Sequence, residues 1–147
     1  MAMRLFTLGF TKKDARSFFT LLRDSQVARV VDVRLRARSQ LSGFARADDL
    51  EFLLEELCHL PYVTEPRLAP TPELLAAFRQ GSLSWAAYEK RFLELMAARR
   101  VERVIERAGL EDACLLCSEH EPRFCHRRLV AEYLAREWGG LEIVHLI

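Results

Sequence analysis

Short, nearly continuous apolar runs at 4–10, 27–33 and 113–117 punctuate the chain, and stretches of helical periodicity lie between them. Runs of that length, bounded by turn residues, predict strands buried in a sheet. The second run is interrupted by Arg29 and Asp32. Weaker strand signals fall at 60–63 and at the close, 141–147. The first helix is expected over about 12–25, with Thr11 as its cap, Asp14 in its first turn, and Phe18, Leu21 and Leu22 as its apolar stripe. A second helix, about 47–59, carries Leu50, Phe52, Leu53, Leu54 and Leu57, all read as facing inward.

The segment 34–46 shows no periodicity and contains Ser39, Ser42 and Gly43, so it is expected to be a polar loop. Thr71 followed by Pro72 predicts the start of a short helix over 73–80, stopped by Gly81. Ser84 starts a longer one, with Trp85, Tyr88, Phe92, Leu95 and Met96 on one stripe. It runs to about 107, bends near Arg99 and ends at Gly109. The last helix, 124–138, ends at Gly139-Gly140. Strands alternating with helices predict an α/β fold: a single-domain, Rossmann-like three-layer sandwich over residues 1–147, with a mostly parallel sheet of about five strands.

Composition narrows the class rather than the function. A length of 147 residues with half of them apolar suits one buried core. The net charge of +1 argues against the global basic field of a dedicated nucleic-acid binder. The cations are 19 Arg and 3 Lys, and Arg clusters therefore draw attention as carboxylate or phosphate forks. The amino-terminal residues lack a signal-peptide pattern, and no apolar run approaches the ~20 residues of a membrane span. The expectation is a cytoplasmic protein, away from membranes, with its four cysteines reduced.

Candidate chemistry concentrates at two strand ends. Asp32 and Arg34 follow alternation onto one side of the second strand, where an acid and a guanidinium can orient a ligand or form a structural ion pair. Arg36, Arg38 and Arg46 extend the basic character into the loop. The stretch from Cys117 to Arg128 holds two cysteines, two histidines, two glutamates and three arginines. Cys114 and Cys117 are spaced C-x-x-C, but three strand residues span ~10 Å and put the two thiols on opposite faces, against a disulfide. Cys117-x5-Arg123 has the spacing of a cysteine-phosphatase loop; Glu119 and Glu121 and the lack of glycine argue against that reading. Cys125 and His126 precede the apolar face of the last helix by one turn and point inward. A thiol there is biased toward thiolate. Zinc held by Cys117, Glu119, Cys125 and His126 is disfavoured, because adjacent residues at a helix start converge poorly on one ion. His59, His120 and His145 are isolated and read as structural.

The order of these motifs, Thr-Leu-Gly-Phe-Thr at 7–11, Val-Val-Asp-Val-Arg at 30–34, Leu-Leu-Cys-Ser-Glu at 115–119, Cys-His-Arg at 125–127 and Val-His-Leu at 144–146, resembles the family called domain of unknown function 488. The resemblance spans essentially the full chain. It implies a fold and a map of motifs, and no activity. Two positions depart from the family pattern: Phe10-Thr11 follow Gly9, and Leu35 stands where a proline is common.

The resulting expectation is an enzyme of unassigned reaction, or a former enzyme, that binds an anionic ligand such as a nucleotide or nucleic acid at the carboxyl ends of the strands. Asp32, Glu119, Cys125 and His126, with Cys117 as a further candidate, carry the chemistry; Arg34, Arg38, Arg127 and Thr11 hold the ligand. No metal and no cofactor is expected, and the oligomeric state is open. The competing expectation is a non-catalytic nucleic-acid- or protein-binding module that uses the 34–46 loop.

Overall fold

Five strands form the sheet: β1 (Met3–Gly9), β2 (Arg29–Asp32), β3 (Tyr62–Thr64), β4 (Ala113–Cys117) and β5 (Leu141–His145). Their spatial order is β3-β2-β4-β1-β5, and every pairing is parallel. The computed structural model describes residues 3–37, 43–119 and 122–147. β4 is central and buried along its whole length, as a parallel strand covered on both faces must be.

Helices α1 (Ala15–Asp24) and α2 (Ala47–Cys58) cover one face. Helices α3 (Pro72–Arg79), α4 (Trp85–Arg99), α5 (Val101–Val104) and α6 (His126–Trp138) belong to the other. The strands alternate between the two layers. Leu5, Val31 and Leu115 pack on the α4–α6 side, and Phe6, Val30 and Leu116 on the α1–α2 side. The fold is therefore the α/β, Rossmann-like sandwich that the periodicity predicts, with an all-parallel sheet.

The caps follow local chemistry. Thr71 and Ser84 accept from Leu74 and Ala87 backbone N–H groups, as expected. At α1 the expectation fails: Asp14, not Thr11, is the cap, accepting from the Ser17 N–H at 2.8 Å. The chain turns at residues 11–12, with Lys12 at φ 65°, before the helix can begin. Arg100 takes a left-handed conformation (φ 54°) and separates α4 from α5, so the bend near Arg99 is a break. The last helix starts two residues later than expected, after a 3-10 turn at Pro122–Phe124.

α2 needs a second correction. Ala47, Leu50 and Leu54 are buried, but Phe52 and Leu57 are 62% and 50% exposed. The buried stripe is narrower than the apolar content of the helix. Phe52 lies across the helix from it, and Leu57 borders an open groove shared with Phe19 of α1.

Candidate functional site

The topology singles out the end of β4. The chain leaves β1 and β2 into helices of one layer, whereas it leaves β4 into α6 of the opposite layer. Such a reversal between neighbouring strands opens a crevice beyond their carboxyl ends. A cavity of about 690 Å³ lies there, reaching Arg34 and Arg36 after β2, Cys117, Ser118 and Glu119 after β4, Cys125 and His126 at the start of α6, and a wall from α3 and α4.

One side is set by Asp32 and Arg34. Asp32 is fully buried, and its carboxylate accepts from Arg34 Nε at 2.9 Å and Nη2 at 2.6 Å, and from the Arg34 backbone N–H. Tyr62 Oη donates to the same carboxylate at 2.5 Å. Burial opposes the charge of Arg34, but the hydrogen bonds and charge of Asp32 outweigh it and hold the guanidinium ionised. Burial, then the Asp32 charge, pushes the Tyr62 hydroxyl well up, so it stays a donor. The guanidinium also stacks on Phe10 at 5.1 Å. Arg34 Nη1 is buried and makes no hydrogen bond among the described residues. Asp32 does not line the cavity; it fixes Arg34, which does.

The floor holds two thiols. Strand alternation carries Cys114 into the α1–α2 layer and Cys117 into the α4–α6 layer, so the C-x-x-C spacing separates them. Burial raises the Cys114 thiol to about 12. Cys117 instead meets Cys125, and their sulfurs and a ring nitrogen of His126 all lie within 4.8 Å of one another. The Cys125 thiol donates to the Cys117 sulfur, which lowers the Cys117 pKa; the Ser118 N–H and the Arg127 charge act the same way, against burial. Burial, then the bond and charge of Cys117, raises the Cys125 pKa well above the ordinary thiol value. The helix start thus fails to make Cys125 the thiolate. Cys125 is buried, and the better-placed acceptor is its neighbour.

His126 Nε2 bonds the Val33 carbonyl at 2.7 Å, tying α6 to the end of β2. Its ring also packs on Phe92. The Cys117 sulfur is 3.6 Å from Nδ1 and 3.8 Å from Nε2. Two nearly equal distances put the sulfur over the ring rather than on either lone-pair axis. This geometry does not fit a zinc ion: with Nδ1 and Cys117 as tetrahedral ligands, the sulfur would stand about 5 Å or more from Nε2. Binding would require the ring to turn and release Val33.

The remaining sequence candidates separate clearly. Arg127 is fully buried and lies outside the cavity lining; its Nη1 donates to the backbone carbonyl of Glu119 at 2.6 Å. It supports the loop. Glu119 is exposed and reaches the cavity. Thr11 is exposed and does not line it; its N–H extends the β1–β4 pairing to the Ser118 carbonyl. Arg123 stacks on Phe124. Arg38 lies outside the described residues, as do His120 and Glu121. His145 pairs with Thr7 in the sheet, a structural role.

The sequence points to Trp85 and Tyr88 as core residues able to line a pocket, but not to the rest of the cavity wall. Phe78, Trp85, Tyr88 and Phe124 form a connected aromatic cluster, and Arg79 stands beside it. Trp85 and Tyr88 are visible as a helical stripe, but nothing local says that one end of the stripe opens to a cavity. Arg79 carries no signal beyond its charge.

Fold and cavity together define an α/β domain with a cavity at the strand ends. Residues 14–134 match the family described as Domain of unknown function DUF488, and the chain belongs to that family. Comparison with curated proteins and with solved structures gives no match. No helix among the described residues is long and apolar enough to cross a membrane.

Proposed function

We propose that the cavity binds an anionic ligand that also carries a planar ring, with nucleotides as the class, and presents Cys117 to it as a nucleophile. The observation that carries this reading is Arg34. Its guanidinium is buried and clamped by Asp32, and its Nη1 has no partner among the described residues. A buried donor without an acceptor costs about 1–3 kcal/mol, which a phosphate or carboxylate oxygen would offset. Arg36 and Arg79 add positive charge at the rim, and Trp85 and Phe124 offer apolar surface on which a ring can stack. Cys117 sits below with its thiolate favoured by two donors and a nearby cation. In this arrangement Asp32 and His126 are positioning residues: one fixes Arg34, the other holds the wall against which Cys117 packs. Glu119 is the exposed carboxylate at the rim. Four free thiols suit a reducing compartment such as the cytoplasm.

Calorimetric titration with nucleoside 5′-monophosphates and with their nucleosides tests the reading. Nucleotide binding should exceed nucleoside binding, weaken with salt, and fall several-fold in Arg79→Ala, whose side chain is exposed. Equal affinity for nucleotide and nucleoside would refute the anion site. Affinity that rises with the length of a single-stranded oligonucleotide would move the class from nucleotide to nucleic acid.

A further inference from the structure

We propose that Cys117 and Cys125 are a redox-active dithiol at the cavity floor, closed to an intramolecular disulfide by an organic or hydrogen peroxide. The fold brings them together from separate elements: one ends β4, the other caps α6. Both belong to the same layer and both line the cavity. Their sulfurs are within 4.8 Å, so a turn of one side chain closes most of the gap to the ~2.05 Å of an S–S bond. The turn costs the helix no cap. Cys125 occupies the cap position in extended backbone, and its side chain makes no capping hydrogen bond.

The roles divide by environment. Cys117 accepts hydrogen bonds from Cys125 and Ser118 and is the attacking sulfur; Cys125 retains its proton and resolves. The Cys117 thiolate attacks one peroxide oxygen, the O–O bond breaks, and the alkoxide or hydroxide leaves and is protonated. Cys117 is now a sulfenic acid. The Cys125 sulfur then attacks the Cys117 sulfur, the S–O bond breaks, and the hydroxyl leaves as water with the Cys125 proton. Two thiols and one peroxide become one disulfide, one alcohol or water, and one further water. The peroxide takes two electrons. An external dithiol returns them by thiol–disulfide exchange.

The other cysteines serve as internal controls. Cys114 faces the opposite layer, and Cys58 lies on α2, half-buried with its thiol pushed up by burial. The proposal does not rest on the anion reading. The cavity can bind a nucleotide whether or not the thiols cycle, and the tests use different variants.

The experiment treats the reduced full chain with equimolar tert-butyl hydroperoxide, blocks remaining thiols after unfolding, and maps peptides without reduction. We expect a product lighter by two hydrogens, a Cys117–Cys125 cross-linked peptide, and full blocking of Cys58 and Cys114. Cys125→Ser should stop at a sulfenic acid on Cys117, trapped by dimedone. Cys117→Ser should lose no thiol on the same timescale. Thermal melting of both variants establishes that they are folded. A cross-link through Cys58, unchanged thiol loss in folded Cys117→Ser, or reduced protein that stays fully unreacted would overturn the proposal. So would stoichiometric zinc retained through purification and released on alkylation of the pair.

Discussion

Gly9→Ala is the most direct trial of the way β1, β4 and α6 meet. A Cβ on Gly9 would overlap the Glu119 carbonyl oxygen, stand 2.5 Å from its carbon, and lie 2.9 Å from Arg127 Nη1. Neither neighbour can yield alone. The Glu119 carbonyl is held by Arg127, and the adjoining loop is held by the Phe10 N–H to Cys117 and the Thr11 N–H to Ser118 bonds, at 3.3 and 3.0 Å. Admitting the methyl must stretch or break two or three of these bonds, at about 1 kcal/mol each. Overpacking adds about 1–3 kcal/mol. The expected loss is therefore about 3–6 kcal/mol, a large share of the roughly 5–15 kcal/mol that holds a domain folded. For a domain of this size that is about 10 °C or more in Tm. Gly109→Ala is the matched control, because a Cβ there meets nothing within 4 Å. Urea unfolding of both variants beside the parent measures the difference. If Gly9→Ala costs less than about 1 kcal/mol, on the scale of an ordinary surface change, the close approach of Glu119 to β1 is wrong, and with it the position of the cavity rim.

Three further outcomes follow from particular contacts. Asp32→Ala should cost about 3–5 kcal/mol by leaving Arg34 buried without its carboxylate, and Asp32→Leu with Arg34→Met should recover much of that; equal losses in urea melts would deny the pair. Phe52→Gln should stay within about 0.5 kcal/mol of the parent because its ring is already exposed. Alkylation of Cys117 should show a half-rate pH below the free-thiol value of about 8.5, since stabilising the thiolate moves its titration down. Cys125→Ala, which removes the donor, should move that half-point up, whereas Cys125→Ser, which keeps one, should not.

The layer architecture was legible because it depends on periodicity, which is local. β4 has the bounds that its apolar run predicts, and Thr71 and Ser84 cap the helices they precede. What failed were choices between near-equal local options. Thr11 and Asp14 are both good caps, and the left-handed turn at Lys12 decides between them. Five apolar residues on α2 exceed what its contact with α1 can bury, so Phe52 is left outside. The site was half legible. Strand ends in an α/β sheet locate it, and alternation pairs Asp32 with Arg34. Which residues face a ligand and which face each other depends on the third dimension, where Arg127 goes beneath the loop and Arg79 arrives from α3.

The assignment of the two thiols shows why that gap is physical. A cysteine at a helix amino end is ordinarily the one activated, because the helix dipole favours its anion. That argument holds only while the thiol keeps solvent or donors around it. Cys125 is 2% exposed, and the acceptor facing it is another sulfur. Desolvation then opposes its charge, and of the two thiols it is Cys117, with the Cys125 thiol, Ser118 N–H and Arg127 beside it, whose pKa is lowered. The dipole is a property of one helix and can be read from sequence. The contest is settled by a second sulfur eight positions away, reached only because β4 and α6 pack in the same layer. A local rule names the residue type; the long-range contact decides which copy of it is biased toward the anion.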